Sequence, residues 1–238
     1  MRTYALIPAR ANSKGVTNKN LRLVHEKPLI TYTLEVAKNV KQFDRVIVTT
    51  DSPEIAALAK AEGVEVPFIR PAEFAQDASP DRDYIEHALN WFQENEGAVP
   101  DLVAILRPTT PLREPDLLDK AVLVLQERFS EATALRSVHA LPEPPQKMLQ
   151  MENGWLTGFF PEDKRPDYFN LPRQTFPTAY QPNGYIDIVK TSYLEKDKNR
   201  IFGDMMLGFE TRFSIEIDTP EALDYLAFTL EAMGKQNG

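Results

Sequence analysis

The chain has 238 residues, 42% of them apolar and 26% charged, which is long enough for one sizeable core and ordinary for a globular protein. Its 27 Lys and Arg against 35 Asp and Glu give a formal charge of -8, which argues against nucleic acid or an anionic membrane as partner. There is no cysteine, so disulfides, thiolate catalysis and cysteine-ligated metals are excluded.

No long uncharged apolar stretch opens the chain, and the expectation is therefore no signal peptide, no membrane span and a cytoplasmic location. The first predicted element is a strand over residues 3–7. It runs into the loop Pro8-Ala9-Arg10-Ala11-Asn12-Ser13-Lys14-Gly15-Val16-Thr17-Asn18-Lys19-Asn20. No acid occurs before Glu26, whereas Arg2, Arg10, Lys14, Lys19 and Arg22 all do. A cationic, small-residue loop at the carboxyl end of a first strand suits a polyphosphate, which needs close backbone N–H groups and neutralising side chains. Arg10 and Lys19 are the leading phosphate ligands, with Ser13, Lys14 and Asn20 in support. The same residues also read as an exposed basic turn, because neither GxxxxGK[ST] nor GxGxxG is present.

A helix is predicted over 28–40, a buried strand over 45–50, and a helix that opens at Ser52-Pro53-Glu54 and stops at Gly63. A third strand is predicted over 64–69, a helix over 81–96, a fourth strand over 101–106 and a helix over 115–129. This alternation predicts a mostly parallel sheet with helices on both faces. Two loops along it carry candidate ligands. The segment from Arg70 to Ser79 offers backbone to a nucleobase, and Arg107-Pro108-Thr109-Thr110-Pro111 presents Arg107 on a proline-braced turn.

Beyond residue 130 the rhythm changes. A strand is predicted over 132–140, a hairpin over 148–160 turning at Asn153-Gly154, an apolar run over 185–189, strands over 205–209 and 213–217, and a closing helix over 220–233. Residues 140–200 read as an insertion into one domain spanning 1–238. Lys147, Arg173, Gln181 and Asn183 lie in it; an arginine there suits a carboxylate, and each also reads as a surface residue. In Ser214-Ile215-Glu216-Ile217-Asp218-Thr219-Pro220 a strand period of two sets Glu216 and Asp218 on one face. Such a pair suits Mg²⁺, or else Asp218 is a helix cap and Glu216 a solvated side chain. His25, His87 and His139 have no metal-ligand spacing and take no role.

Taken together the segments resemble the acylneuraminate cytidylyltransferase, or CMP-sialic acid synthetase, family. The resemblance rests on Ile7-Pro8-Ala9-Arg10 with Ser13-Lys14-Gly15 and Lys19-Asn20, on Phe43 to Val48 with Thr50-Asp51, and on Arg70-Pro71-Ala72-Glu73 with Asp77. Pro108-Thr109, Pro111-Leu112-Arg113, Arg173-Gln174, Pro177, Asn183-Gly184 and Ile217-Asp218-Thr219 complete it in order. It implies a Rossmann-like α/β fold with an inserted dimerisation arm, and a homodimer. It implies that CTP and a nonulosonic 2-keto-3-deoxy sugar acid give a CMP-sugar and pyrophosphate with Mg²⁺. On that likeness Arg10 and Lys19 hold the triphosphate, and Asp218, with them, is catalytic. Glu216 and Asp218 hold the metal. Arg70 and Ser79 read cytidine, and Arg107, Lys147, Arg173, Gln181 and Asn183 meet the sugar. Departures fall at Ala11-Asn12 for Gly-Gly, Arg107 for glutamine, Gln181 for arginine, Asp187 for tyrosine and Glu216 for aspartate. Several lie in the implied sugar pocket, which leaves N-acetylneuraminate, legionaminate and pseudaminate open. A nucleotidyltransferase using another nucleotide, or a binding module without catalysis, are the competing readings.

Overall fold

Runs of small and β-branched apolar residues pair to form a six-stranded sheet in a computed structural model that describes residues 1–11 and 15–236. In chain order the strands are β1 (Thr3–Pro8), β2 (Leu23–Val24), β3 (Lys27–Pro28), β4 (Arg45–Thr49), β5 (Leu102–Ile105), β6 (Ala134–Ala140), β7 (Leu149–Glu152), β8 (Trp155–Gly158), β9 (Tyr180–Lys190) and β10 (Met206–Glu210). The helices are α1 (Leu29–Lys38), α2 (Pro53–Ala61), α3 (Asp81–Glu96), α4 (Pro115–Glu127), α5 (Thr191–Lys196) and α6 (Pro220–Gln236). The sheet order is β10-β6-β9-β5-β1-β4. β1 runs parallel to β4 and β5, and β10 parallel to β6, while β9 is antiparallel to both its neighbours.

Successive side chains of each strand enter opposite layers. Ala5, Ile7 and Val48 meet Ile30 and Leu34 of α1, Ile55 of α2 and Leu118 of α4. Tyr4, Leu6, Ile47 and Val103 meet Ile85 and Phe92 of α3 and Leu194 of α5. A mostly parallel sheet covered on both faces is therefore the observed architecture. The helix signals act locally as expected. The Ser52 hydroxyl accepts from the Ile55 N–H at 3.2 Å with Pro53 opening α2, and Gly97 closes α3 in the left-handed region at φ 67°.

Two predicted strands are not strands. Residues 64–69 make a single parallel bridge, Ile47 to Glu65, and then leave the edge of β4, because Pro67 has no N–H to continue a ladder. Residues 213–217 have no regular structure. Their alternation survives for another reason. Ile217 is fully buried with Val24, Leu29 and Leu226, and its N–H donates to the Thr109 carbonyl at 2.7 Å. Glu216 and Asp218 flank that anchor. The predicted hairpin is present as β7 and β8, turned by Asn153 and Gly154 at positive φ, and it leaves Met151, Trp155 and Leu156 exposed. No helix among the described residues is long and apolar enough to cross a membrane.

The loop after β5 is fixed by a buried arginine. The Arg113 guanidinium donates to the Tyr185 carbonyl at 2.7 Å, the Thr33 hydroxyl at 3.0 Å, the Arg107 carbonyl at 2.8 Å and the Gly184 carbonyl at 3.1 Å. It ties α1, the Arg107 turn and β9 together. Arg113→Ala would strand those acceptors away from water, and the expected loss is about 3–5 kcal/mol of unfolding free energy, read by urea titration. A loss below about 1 kcal/mol would show that water replaces the side chain.

Candidate nucleotide cleft

The carboxyl ends of β1 and β5 open onto a cavity of about 550 Å³. This is the end of an open α/β sheet where ligands bind. The basic loop forms its floor. Ala9 is tied to β4 by its N–H on the Thr49 carbonyl at 3.0 Å, and the Asp51 carboxylate accepts the Ala11 N–H at 2.8 Å. The Asn20 amide donates to the Arg10 carbonyl at 3.0 Å, which closes the loop on itself. Asn18 stands in the left-handed region at φ 52° and turns the chain so that Lys19 faces inward. Ser13 and Lys14 lie outside the described residues.

Lys19 and Asp218, 199 residues apart, meet at the cavity, with Nζ 2.7 Å from Oδ1. The lysine side chain is 9% exposed and the aspartate 62%. A cation is thus buried under an acid that water already solvates, a costly placement unless an anion is to occupy the cleft. Gly15 makes this contact possible. A Cβ there would stand 2.2 Å from the Asp218 carbonyl oxygen. Gly15→Ala must push the two segments apart. The expected outcome is a loss of about 1–3 kcal/mol, checked by thermal melting.

Glu216 lines the same cavity. Partial burial, reinforced by the neighbouring Asp218, pushes its carboxyl pKa up, while Arg107 and Lys19 pull it down. Two like charges held side by side favour a cation between them. The described residues hold no group of three or more acids or histidines that would cage a metal unaided. Two carboxylates with ligand phosphates and water are the donor set that Mg²⁺ takes, so the pair fits this ion.

Arg10 forms an ion pair with Asp77 at 2.8 Å across the cleft. Arg70 is buried at the end of β4, donating to the Thr49 hydroxyl at 3.1 Å and to the Thr49 carbonyl, with its guanidinium 5.0 Å from the Tyr84 ring centre. Burial lowers its pKa. The Ser79 hydroxyl accepts the Gln76 N–H and donates to the Glu73 carbonyl, both at 3.1 Å, so it shapes the wall between Phe74 and Ser79. Arg107 lines the cavity next to this wall, paired with Asp81 and, at 2.7 Å, with Asp187.

The other sugar-side candidates do not reach this cavity. Lys147 pairs with Glu143 at 3.4 Å. Arg173 lines a separate hollow of about 210 Å³. Gln181 is exposed on β9 opposite His139. Asn183 is buried, its amide donating to the Thr211 hydroxyl at 2.7 Å and its carbonyl accepting the Tyr185 N–H at 3.2 Å. Sequence reasoning gave no role to Asp81 or Tyr84. Both fall there within the first turn of the helix predicted over 81–96, with nothing to mark them as ligands.

A profile of the cytidylyltransferase family matches residues 4–153. The N-acylneuraminate cytidylyltransferase of Escherichia coli O18:K1:H7 is 32% identical over 97% of this chain and 53% of its own length. The CMP-N,N'-diacetyllegionaminic acid synthase of Legionella pneumophila is 38% identical over 51% of this chain and 52% of its own. The chain therefore spans about half the length of these relatives. A solved CMP:2-keto-3-deoxy-manno-octonic acid synthetase complexed with CTP superposes with a TM-score of 0.73 at 16% identity, covering 98% of this chain and 100% of that one, a likeness of fold.

Proposed function

The chain belongs to the cytidylyltransferase family, and from that membership we propose that it transfers CMP from CTP to the anomeric hydroxyl of a nonulosonic, sialic-acid-like sugar acid, releasing pyrophosphate. One observation carries the reading: a buried lysine from the N-terminal loop and a carboxylate pair from the far end of the chain share one cleft with Arg10 and Arg70. The names of the two relatives, which concern acylneuraminate and legionaminate, support a sugar acid of that class.

In this reading the triphosphate lies along the basic loop. Lys19 and Arg10 take its negative charge, and binding exchanges their present acidic partners, Asp218 and Asp77, for phosphate oxygens. Glu216 and Asp218 would hold Mg²⁺, which when bound supplies positive charge against the phosphate oxygens. The sugar hydroxyl attacks the α-phosphorus, an O–P bond forms, the bond to the pyrophosphate oxygen breaks, and the hydroxyl proton passes to a carboxylate of the cleft or to water. Lys19 stabilises the charge that gathers on the leaving group, and its fixed position means little reorganisation is needed as that charge develops. Arg70 and the wall ending at Ser79 face the nucleoside end.

Of residues 140–200, β9 and α5 belong to the core, whereas the part between β6 and β9 is proposed as an arm inserted in the single domain and as the dimer contact. Its exposed Met151, Trp155 and Leu156 support this, and Lys147 and Arg173 stand outside the cleft of their own chain. Sedimentation equilibrium tests the assembly. Pyrophosphate release with CTP, UTP, GTP and ATP, each against a panel of nonulosonic acids with and without Mg²⁺, tests the reaction. Turnover confined to CTP with the metal is the expected result. Equal turnover with UTP or GTP would remove the cytidine assignment, and binding of CTP without any product would leave a nucleotide-binding module.

A further inference from the structure

Asp187 is fully buried in the middle of β9, between Ile105 of β5 and Arg136 of β6. A carboxylate so placed must be matched by cations. Two arginines meet it. Arg136 Nε donates to Oδ1 at 3.1 Å, and Arg107 Nη1 donates to Oδ2 at 2.7 Å. The other amino group of Arg107, Nη2, donates to Asp81 in the first turn of α3. Arg107 is thus strung between the sheet and a helix, with its guanidinium on the cavity wall. Arg136 is itself fixed, its guanidinium 4.3 Å from the centre of the Phe202 ring. The register of β6 against β9 shifts immediately after Arg136, so the pairing is irregular where this network sits.

We propose that Asp187 and Asp81 are positioning residues that hold the Arg107 guanidinium rigid on the cavity wall, and that Arg107, so held, selects the sugar acid by the geometry of its N–H donors. This inference rests on the cytidylyltransferase reading above. Charge counting supports it. Arg107 and Arg136 balance Asp81 and Asp187, so this wall offers a ligand little net field. Its discriminating power must come from direction. Two of the five guanidinium N–H bonds are committed to the carboxylates, and a planar fork pinned at two points fixes where the others aim. The fitting partners are neutral oxygens of the sugar, its hydroxyls and acyl carbonyls. Arg107 and Asp187 lie 80 residues apart and close one ion pair, so the two positions act as a single unit of specificity.

Steady-state kinetics on the full chain test this, with CTP and the accepted sugar acid varied in turn. Asp187→Asn and Asp81→Asn should each raise the sugar-acid KM about tenfold or more while the CTP KM stays put. Arg107→Gln should do the same, and Arg107→Lys should not rescue, because it keeps the charge and loses the fork. The double variant Arg107→Gln with Asp187→Asn should have the sugar-acid KM of Arg107→Gln alone. Additive effects, rescue by lysine, or an equal rise in both KM values would overturn the proposal. If Asp187→Asn fails to fold, Asp81→Asn decides, because Asp81 lies at the open end of α3. Should the wild-type chain release no pyrophosphate from CTP with any nonulosonic acid, the functional reading falls and takes this inference with it. Turnover in the wild type with unchanged sugar-acid KM in the variants sinks the inference alone.

Discussion

Asp218→Asn will cut turnover by about a hundred- to a thousandfold and leave the fold as it is. The carboxylate is the part of Asp218 that faces the cleft, and it is largely solvated. Its charge matters to buried Lys19, and the asparagine carbonyl oxygen can still accept from that ammonium group. The segment is held by buried Ile217, by the Ile217 N–H on the Thr109 carbonyl, and by the Thr219 hydroxyl accepting the Ala222 N–H at 3.3 Å. Asparagine keeps the size and removes the charge. It also removes the neighbour that pushes the Glu216 pKa up, so Glu216 ionises more readily and yet stands alone as a ligand. A magnesium titration of pyrophosphate release separates the two roles of the residue. Weaker metal dependence with a collapsed kcat marks a ligand. Near-normal kcat at every magnesium concentration would show that Asp218 is no more than the counter-ion of Lys19.

Most of the sheet was legible because its strands are local. Val46-Ile47-Val48 and Val103-Ala104-Ile105 are short apolar runs closed by turn residues, and Ser52-Pro53 and Gly97 punctuate their helices in the expected way. β9 was only half legible. Its core, Tyr185 to Val189, is apolar apart from Asp187, but its antiparallel course between β5 and β6 is set by partners 40 to 88 residues away, and Pro182 and Gly184 disguise its first half. Residues 64–69 misled for the opposite reason: the apolar pattern of a strand was present, and one proline ended the ladder. In the cleft, the cations were legible as an excess against an acidic background. Of their carboxylate partners only Asp218 stood out as a ligand. Asp77 sits in a loop, Asp81 at a helix start and Asp187 inside a strand, and in sequence each has a bland explanation. Only the fold brings them to Arg10 and Arg107.

Lys19→Met should separate stability from function in opposite directions. The lysine stem is buried at the cavity floor, and desolvation of its ammonium group works against the folded state. Methionine fills a similar volume without charge and adapts to irregular space. The acid left behind, Asp218, is mostly in water and loses little when its partner goes. The melting temperature should therefore hold or rise. Catalysis should fall by about a hundredfold or more in kcat/KM for CTP, because a fixed cation against the triphosphate and the departing pyrophosphate is lost where water cannot substitute for it. The two readouts must move apart for the assignment to stand. A chain that melts several degrees lower and keeps its KM for CTP would make Lys19 a strut between the first loop and the Asp218 segment. In that case the N-terminal excess of positive charge would need another purpose. The cost of burying an ammonium group with so exposed a partner argues against that outcome, since a strut of the same length could have been apolar from the start.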